Sequence, residues 1–324
     1  MENYRGVLIV LAICFLAFLQ GDAGTRKKSA LQLPRARLLV GFPPANLRLI
    51  TPDEVLQLQD GGRESLVFPS ISANGQVVAS AIGVEGGEGT IANGLVAIAA
   101  YSISERKWTQ YSRIRFSGGV AVAPDGGRLA YALREESAAS VRLHIIDLET
   151  GAMTTGPILG SYDGIKLSWS PDGHKIVFEM FQSLPSEGPQ HAPAILVVDL
   201  ATGKITKLAD GSAPSWAPSG EWIAYLDHSG DTDDLRQPWK NPNPNRVVLV
   251  RPDGTRRKVV YSLPNSGFLQ AVPVWSPDSR KLLLNESFDM NKGTVTARLL
   301  TLSTGRVMKI AHDVPPIYGW AVSP

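Results

Sequence analysis

Short apolar runs recur along the chain, each about the length of a strand and rich in β-branched and aromatic residues. Arg128-Leu-Ala-Tyr-Ala132, Lys175-Ile-Val-Phe178, Trp222-Ile-Ala-Tyr225 and Lys281-Leu-Leu-Leu284 are the clearest. Each follows a tight polar step, best seen in Ser170-Pro-Asp-Gly173, with Ser at the first turn position, Pro at the second and Gly at the fourth. That order suits a type I turn followed by a left-handed residue, so the step and the run together predict a hairpin. A second hairpin follows in most copies. Its best version runs from Ile195 to Leu208 about Thr202-Gly203, and Leu143 to Thr154 and Leu299 to Ile310 match it.

The turn belongs to a longer repeated phrase. Leu167-Ser-Trp-Ser-Pro-Asp-Gly173 recurs as Pro214-Ser-Trp-Ala-Pro-Ser-Gly220, Pro273-Val-Trp-Ser-Pro-Asp-Ser279 and Val120-Ala-Val-Ala-Pro-Asp-Gly126. Ser70-Ile-Ser-Ala-Asn-Gly75 is a degenerate copy, and Gly319-Trp-Ala-Val-Ser-Pro324 begins the phrase once more. The Pro position falls at 73 (here Ala), 124, 171, 218, 277 and 324, with spacings of 51, 47, 47, 59 and 47. Four strands per unit of about 50 residues is the mark of a propeller blade, so an all-β, six-bladed β-propeller is expected over residues 35–324. The sixth unit has only its innermost strand, Trp320-Ala-Val322, at the C-terminal end. Arg35 to Gly41 reads as its second strand, and Leu47 to Leu58 overlays the outer hairpin of the other blades. The two ends of the chain are therefore expected to share one blade, which hides sheet edges that would otherwise invite association.

These phrases resemble the TolB-type, WD-like repeats of the TolB propeller and of the propellers in prolyl-oligopeptidase-like enzymes. The specific part is Trp-Ser-Pro-Asp-Gly followed by a Lys-Ile-Val-Phe-like strand. The resemblance covers residues 35–324 and implies the fold, while such repeats serve many functions. A propeller alone is expected, without TolB's N-terminal α/β domain or a peptidase's hydrolase domain.

Composition adds compartment and partners. The chain is 44% hydrophobic and 19% charged, with formal net charge +2. Arg26 to Lys28 and Arg256 to Lys258 read as solvated charge, and no nucleic-acid partner is expected. Polar Met1 to Arg5, the 13-residue apolar run Val7 to Leu19, and Gly21-Asp22-Ala23 read as a signal peptide over residues 1–23, followed by a linker over 24–34. The chain is then exported, to the periplasm or the medium, and a monomer is expected; an uncleaved signal acting as a membrane anchor is the alternative. Ile13 is too bulky for a lipoprotein signal before Cys14, the one cysteine in the sequence. Cleavage leaves no thiol for disulfides or thiolate chemistry.

The connections between blades, and those between second and third strands, open on one face of the ring, whereas the tight turns occupy the other. Binding is expected on the first face. Its longest connection, Asp227 to Asn245, carries His228, Asp231 and Trp239; the inter-blade connections carry Tyr162 and Asp163, Phe268, and Tyr318, and His191 lies in a neighbouring long loop. These eight are the candidate contacts for a protein or glycan partner. Four carboxylates between Asp227 and Asp234 could take Ca²⁺, but their spacing departs from an EF-hand loop, so no cofactor is expected. No catalytic motif is found and no catalytic or metal residue is assigned. The alternative is a hydrolase or lyase acting on a glycan, with His191, His228 and the Asp231 cluster arranged as in metal-assisted propeller enzymes such as oligogalacturonate lyase. Asn285-Glu-Ser287 is also a glycosylation sequon.

Overall fold

A computed structural model describes residues 36–42, 45–51, 54–58, 66–83, 95–115, 118–135, 140–160, 166–180, 193–227, 245–263, 269–289 and 294–322. The chain opens with β1 (Ala36–Phe42), β2 (Ala45–Ile50) and β3 (Val55–Gln57). Blade one follows as β4 (Leu66–Ile71), β5 (Val77–Gly83), β6 (Leu95–Ser102) and β7 (Lys107–Arg115). Blade two is β8 (Val120–Val122), β9 (Arg128–Arg134), β10 (Val141–Asp147) and β11 (Met153–Gly160). Blade three is β12 (Leu167–Trp169), β13 (Lys175–Met180), β14 (Ala194–Asp199) and β15 (Ile205–Asp210). Blade four is β16 (Ser212–Trp216), β17 (Ile223–Asp227), β18 (Arg246–Val250) and β19 (Lys258–Ser262). Blade five is β20 (Leu269–Trp275), β21 (Lys281–Asp289), β22 (Thr294–Thr301) and β23 (Arg306–Val314), and β24 (Ile317–Val322) ends the described chain.

These strands form six four-stranded antiparallel sheets, the sixth in the order β24-β1-β2-β3. The expected six-bladed propeller and its closure by both ends of the chain are therefore observed. In the closing ladder Ala36 faces Val322, Leu38 faces Trp320 and Leu39 faces Gly319, and the Gly41 amide donates to the Pro316 carbonyl at 3.1 Å.

The turns form as their residues dictate. In blade three the Ser170 hydroxyl donates to the Asp172 carboxylate at 2.5 Å, and the same carboxylate accepts the His174 amide at 3.0 Å. Ser276 and Asp278 repeat the arrangement in blade five, with hydroxyl to carboxylate at 2.6 Å and the Arg280 amide at 3.0 Å. In the outer hairpins, Asp147 and Asp199 each accept both the amide and the hydroxyl of the Thr three residues on, at 2.8 to 3.0 Å. Those bonds hold both carboxyls below the usual carboxylate range.

Apolar residues gather in six clusters, and each joins the facing sheets of two adjacent blades. The tryptophans of the repeated phrase sit in these gaps, as wedges. The Trp169 indole N–H donates to the Ala121 carbonyl and that of Trp275 to the Ser215 carbonyl, both at 3.0 Å and both reaching the innermost strand of the preceding blade. Such a bond satisfies a buried indole that pure apolar packing would leave unpaired.

Ring closure also shapes one turn. Gly75 has φ of +70°, and a Cβ there would stand 2.5 Å from the Val322 carbonyl oxygen, while Arg37 of β1 donates to the Gly75 carbonyl. Gly151 has the same φ with nothing within 4 Å. Gly151→Ala is expected to cost about 1–2 kcal/mol for the left-handed backbone alone. Gly75→Ala should cost about 1–3 kcal/mol more, because the added methyl forces the sealing strand aside. Urea unfolding of the two variants measures the difference, and equal losses would mean that the Gly75 turn is not pressed against β24.

Candidate functional site

The innermost strands of all six blades surround an axial channel of about 610 Å³, within the range of small-molecule sites. Its wall is apolar because the inner strands present Phe68, Ile71, Val120, Val122, Val274 and the four phrase tryptophans, with Pro69, Pro214 and Pro273 at one repeated position. The hydroxyls of two of the three serines in the wall are used by neighbouring blades. Ser168 accepts the Trp216 amide at 3.0 Å, and Ser70 accepts the Val122 amide at 3.3 Å. Each bond links one blade to the next, so the lining has little polar demand of its own.

Among the described lining residues, Lys166 is the one charged side chain. It immediately precedes β12, at the end of the channel where inter-blade connections enter. Behind it Glu179 of β13 is 2% exposed. One Glu179 oxygen accepts the Ala213 amide at 2.6 Å, and the other lies 3.8 Å from Lys166 Nζ. Ala213 lies at φ +52° where β16 bulges, as Phe68 does in β4, and the bulge re-aims the local backbone. Burial pushes the Glu179 carboxyl up, against the opposing pull of Lys166 and of the Ala213 amide.

Asn285 holds the same position in β21 that Glu179 holds in β13. Its side-chain amide donates to the Ile317 carbonyl at 2.8 Å and accepts the Ile317 amide at 2.9 Å. Asn285 is 2% exposed, so the sequon asparagine acts as a clip between blades five and six. Carboxylate and carboxamide thus solve one problem, the inner-strand amide of the next blade.

Of the eight candidate contacts, Tyr162, Asp163, His191, His228, Asp231, Trp239 and Phe268 lie outside the described residues. Tyr318 falls inside β24 and not in a connection, and it lines the channel with its phenol pushed up to about 12 by burial. Asp227, the first carboxylate of the acidic loop, ends β17 and is held by Arg257 at 3.0 Å and Arg246 at 3.4 Å. His144 is buried in β10 and stacks on Tyr131 at 5.2 Å, and burial pulls its pKa down. Among the described residues no three of His, Cys, Asp and Glu gather as a metal site. No helix there is long and apolar enough to cross a membrane.

No family model matches the chain, and no curated protein does. Solved structures do match. TolB from Acinetobacter baumannii is similar at 14% identity with a TM-score of 0.64, over 89% of this chain and 66% of that one. This chain therefore spans just under two thirds of that TolB. A nidogen/laminin complex matches at 12% identity and a TM-score of 0.60, over 89% and 98% of the two chains. Oligogalacturonate lyase in complex with manganese matches at 14% and 0.52, over 85% and 72%. At such identities the likeness is one of fold, and the fold is a six-bladed propeller of TolB type.

Sequence reasoning singles out Tyr318 but not Lys166 or Glu179. Lys166 closes the segment Tyr162-Asp-Gly-Ile-Lys166, and a lysine at the entry to an innermost strand was the available signal.

Folding raises the Glu179 pKa above its usual 4.5, so the native state holds that proton more tightly than the unfolded chain. The resulting stabilisation is complete below the unfolded value and is lost as pH rises through the raised native one. Glu179→Gln keeps an acceptor for Ala213 and removes the titration. Stability of the natural protein relative to this variant should fall as pH rises above about 4.5, measured by urea unfolding across pH. Parallel curves would contradict the raised value.

Proposed function

We propose that the chain is a non-catalytic, extracytoplasmic binding scaffold that engages a protein or glycan through the face where its inter-blade connections open. The observation that carries this reading is the segregation of the two kinds of connection. In blades one to five the tight turns close the innermost strands at one end, while the chain enters those strands at the other, the end of Lys166 and Tyr318. Binding residues concentrate on irregular connections held by a rigid frame, and six interlocked blades make such a frame. The nidogen/laminin match supports a propeller used for protein association, and the signal-like N-terminus supports export.

The manganese-bound oligogalacturonate lyase favours a second reading, a glycan lyase built on His191, His228 and Asp231. Stoichiometric metal in purified protein, read by inductively coupled plasma analysis, would favour it over the scaffold.

For the scaffold, alanine at both Trp239 and Tyr162 should weaken capture of a partner from an exported-protein or glycan library about tenfold or more, as loss of aromatic anchors does. Thr202→Ala on the turn face should leave capture unchanged. If the double variant captures its partner as well as the natural protein, the connection face is not the binding face.

A further inference from the structure

We propose that the axial channel is itself a binding site for a single-chain apolar carboxylate, with the tail along the tryptophan-lined wall and the carboxylate at Lys166. The channel's volume of about 610 Å³ falls within the range of small-molecule sites, and its wall has no charge among the described residues apart from that lysine. The Lys166 side chain is among those that line the channel and is 33% exposed.

Among the described residues its ammonium has donors to spare. The nearest described carboxylate oxygen, on Glu179, stands at 3.8 Å, an ion-pair separation longer than a hydrogen bond. Among the described residues no acceptor lies within hydrogen-bond distance of Nζ, though an ammonium carries three donors. Glu179 is instead committed at 2.6 Å to the Ala213 amide. An anion entering from the lumen meets a cation with unused donors in a wall of low polarity, where charge-assisted bonds are strong. A cationic or neutral head group gains nothing there. This site lies inside the ring with Lys166 at its connection end, and its test reads a small amphiphile and not partner capture, so its failure leaves the scaffold reading standing.

The test uses dodecanoate at submicellar concentration as the probe. Because Trp169, Trp216, Trp275 and Trp320 line the channel, occupancy should change tryptophan emission, and calorimetry reads stoichiometry. One saturable site is expected. Each methylene removed from the tail should weaken binding about threefold to fourfold. Dodecanol and dodecyltrimethylammonium should bind about tenfold or more weakly than dodecanoate. Lys166→Met keeps the apolar stem, and should weaken dodecanoate by a similar factor while leaving dodecanol within about twofold, with a thermal melt confirming that the variant folds. The head-group and chain-length series on the natural protein decide the matter even if the variant does not fold. The proposal is overturned if no saturable site is found, if the cationic amphiphile binds as tightly as dodecanoate, or if the folded Lys166→Met variant holds dodecanoate unchanged.

Discussion

No blade of this protein completes its own hydrophobic core. Each sheet buries its faces only against its two neighbours, and the six apolar clusters lie in the six gaps between them. Burial of apolar surface is the dominant favourable term in folding, so an open ring would expose the two faces flanking the break. The ladder between β1 and β24 is consequently the contact on which the rest depends. It places Leu38 and Val40 against Val274 and Leu283 on one side of the sixth sheet, and Leu39 against Val78 and Ile82 on the other.

Polar contacts across the gaps set how the blades meet. Trp169 and Trp275 donate backwards to the preceding inner strand; Ser70 and Ser168 accept from the following one; Glu179 and Asn285 clamp an amide of the next blade. Because these groups are spent between blades, the lumen they enclose is left apolar. One repeated solution to inter-blade packing thereby creates a channel whose chemistry is decided by its exceptions, chiefly Lys166 and Tyr318.

The architecture was legible because it repeats. The Trp-Ser-Pro-Asp-Gly phrase marks turn, wedge and strand at once, and its spacing counts the blades. Even the shared blade could be read, since Leu47 to Leu58 carries the hairpin pattern of the outer strands. The channel chemistry was not legible for the opposite reason. Lys166 occurs in one blade only, and Glu179 sits in a strand whose pattern calls for an apolar residue, so periodicity treats both as noise. Tyr318 is expected in a connection but lies in a strand, where it lines the channel. Asn285 shows the limit of a local motif: a three-residue sequon says nothing of the Ile317 backbone that comes 32 residues later and takes up both amide atoms.

The most direct test of the account is a pair of cysteines across the seal, Ala36→Cys with Val322→Cys, in a chain whose Cys14 is replaced by Ala. These positions face one another in the closing ladder, and directly opposed residues in an antiparallel pair stand about 4.5–5.5 Å apart, within disulfide reach. Mild oxidation of the folded protein should give an intramolecular disulfide and raise the thermal unfolding midpoint by several degrees or more, as closing a long loop does. Thiols that remain free in the folded protein, or that link only separate chains, would contradict a ring sealed by its own two ends.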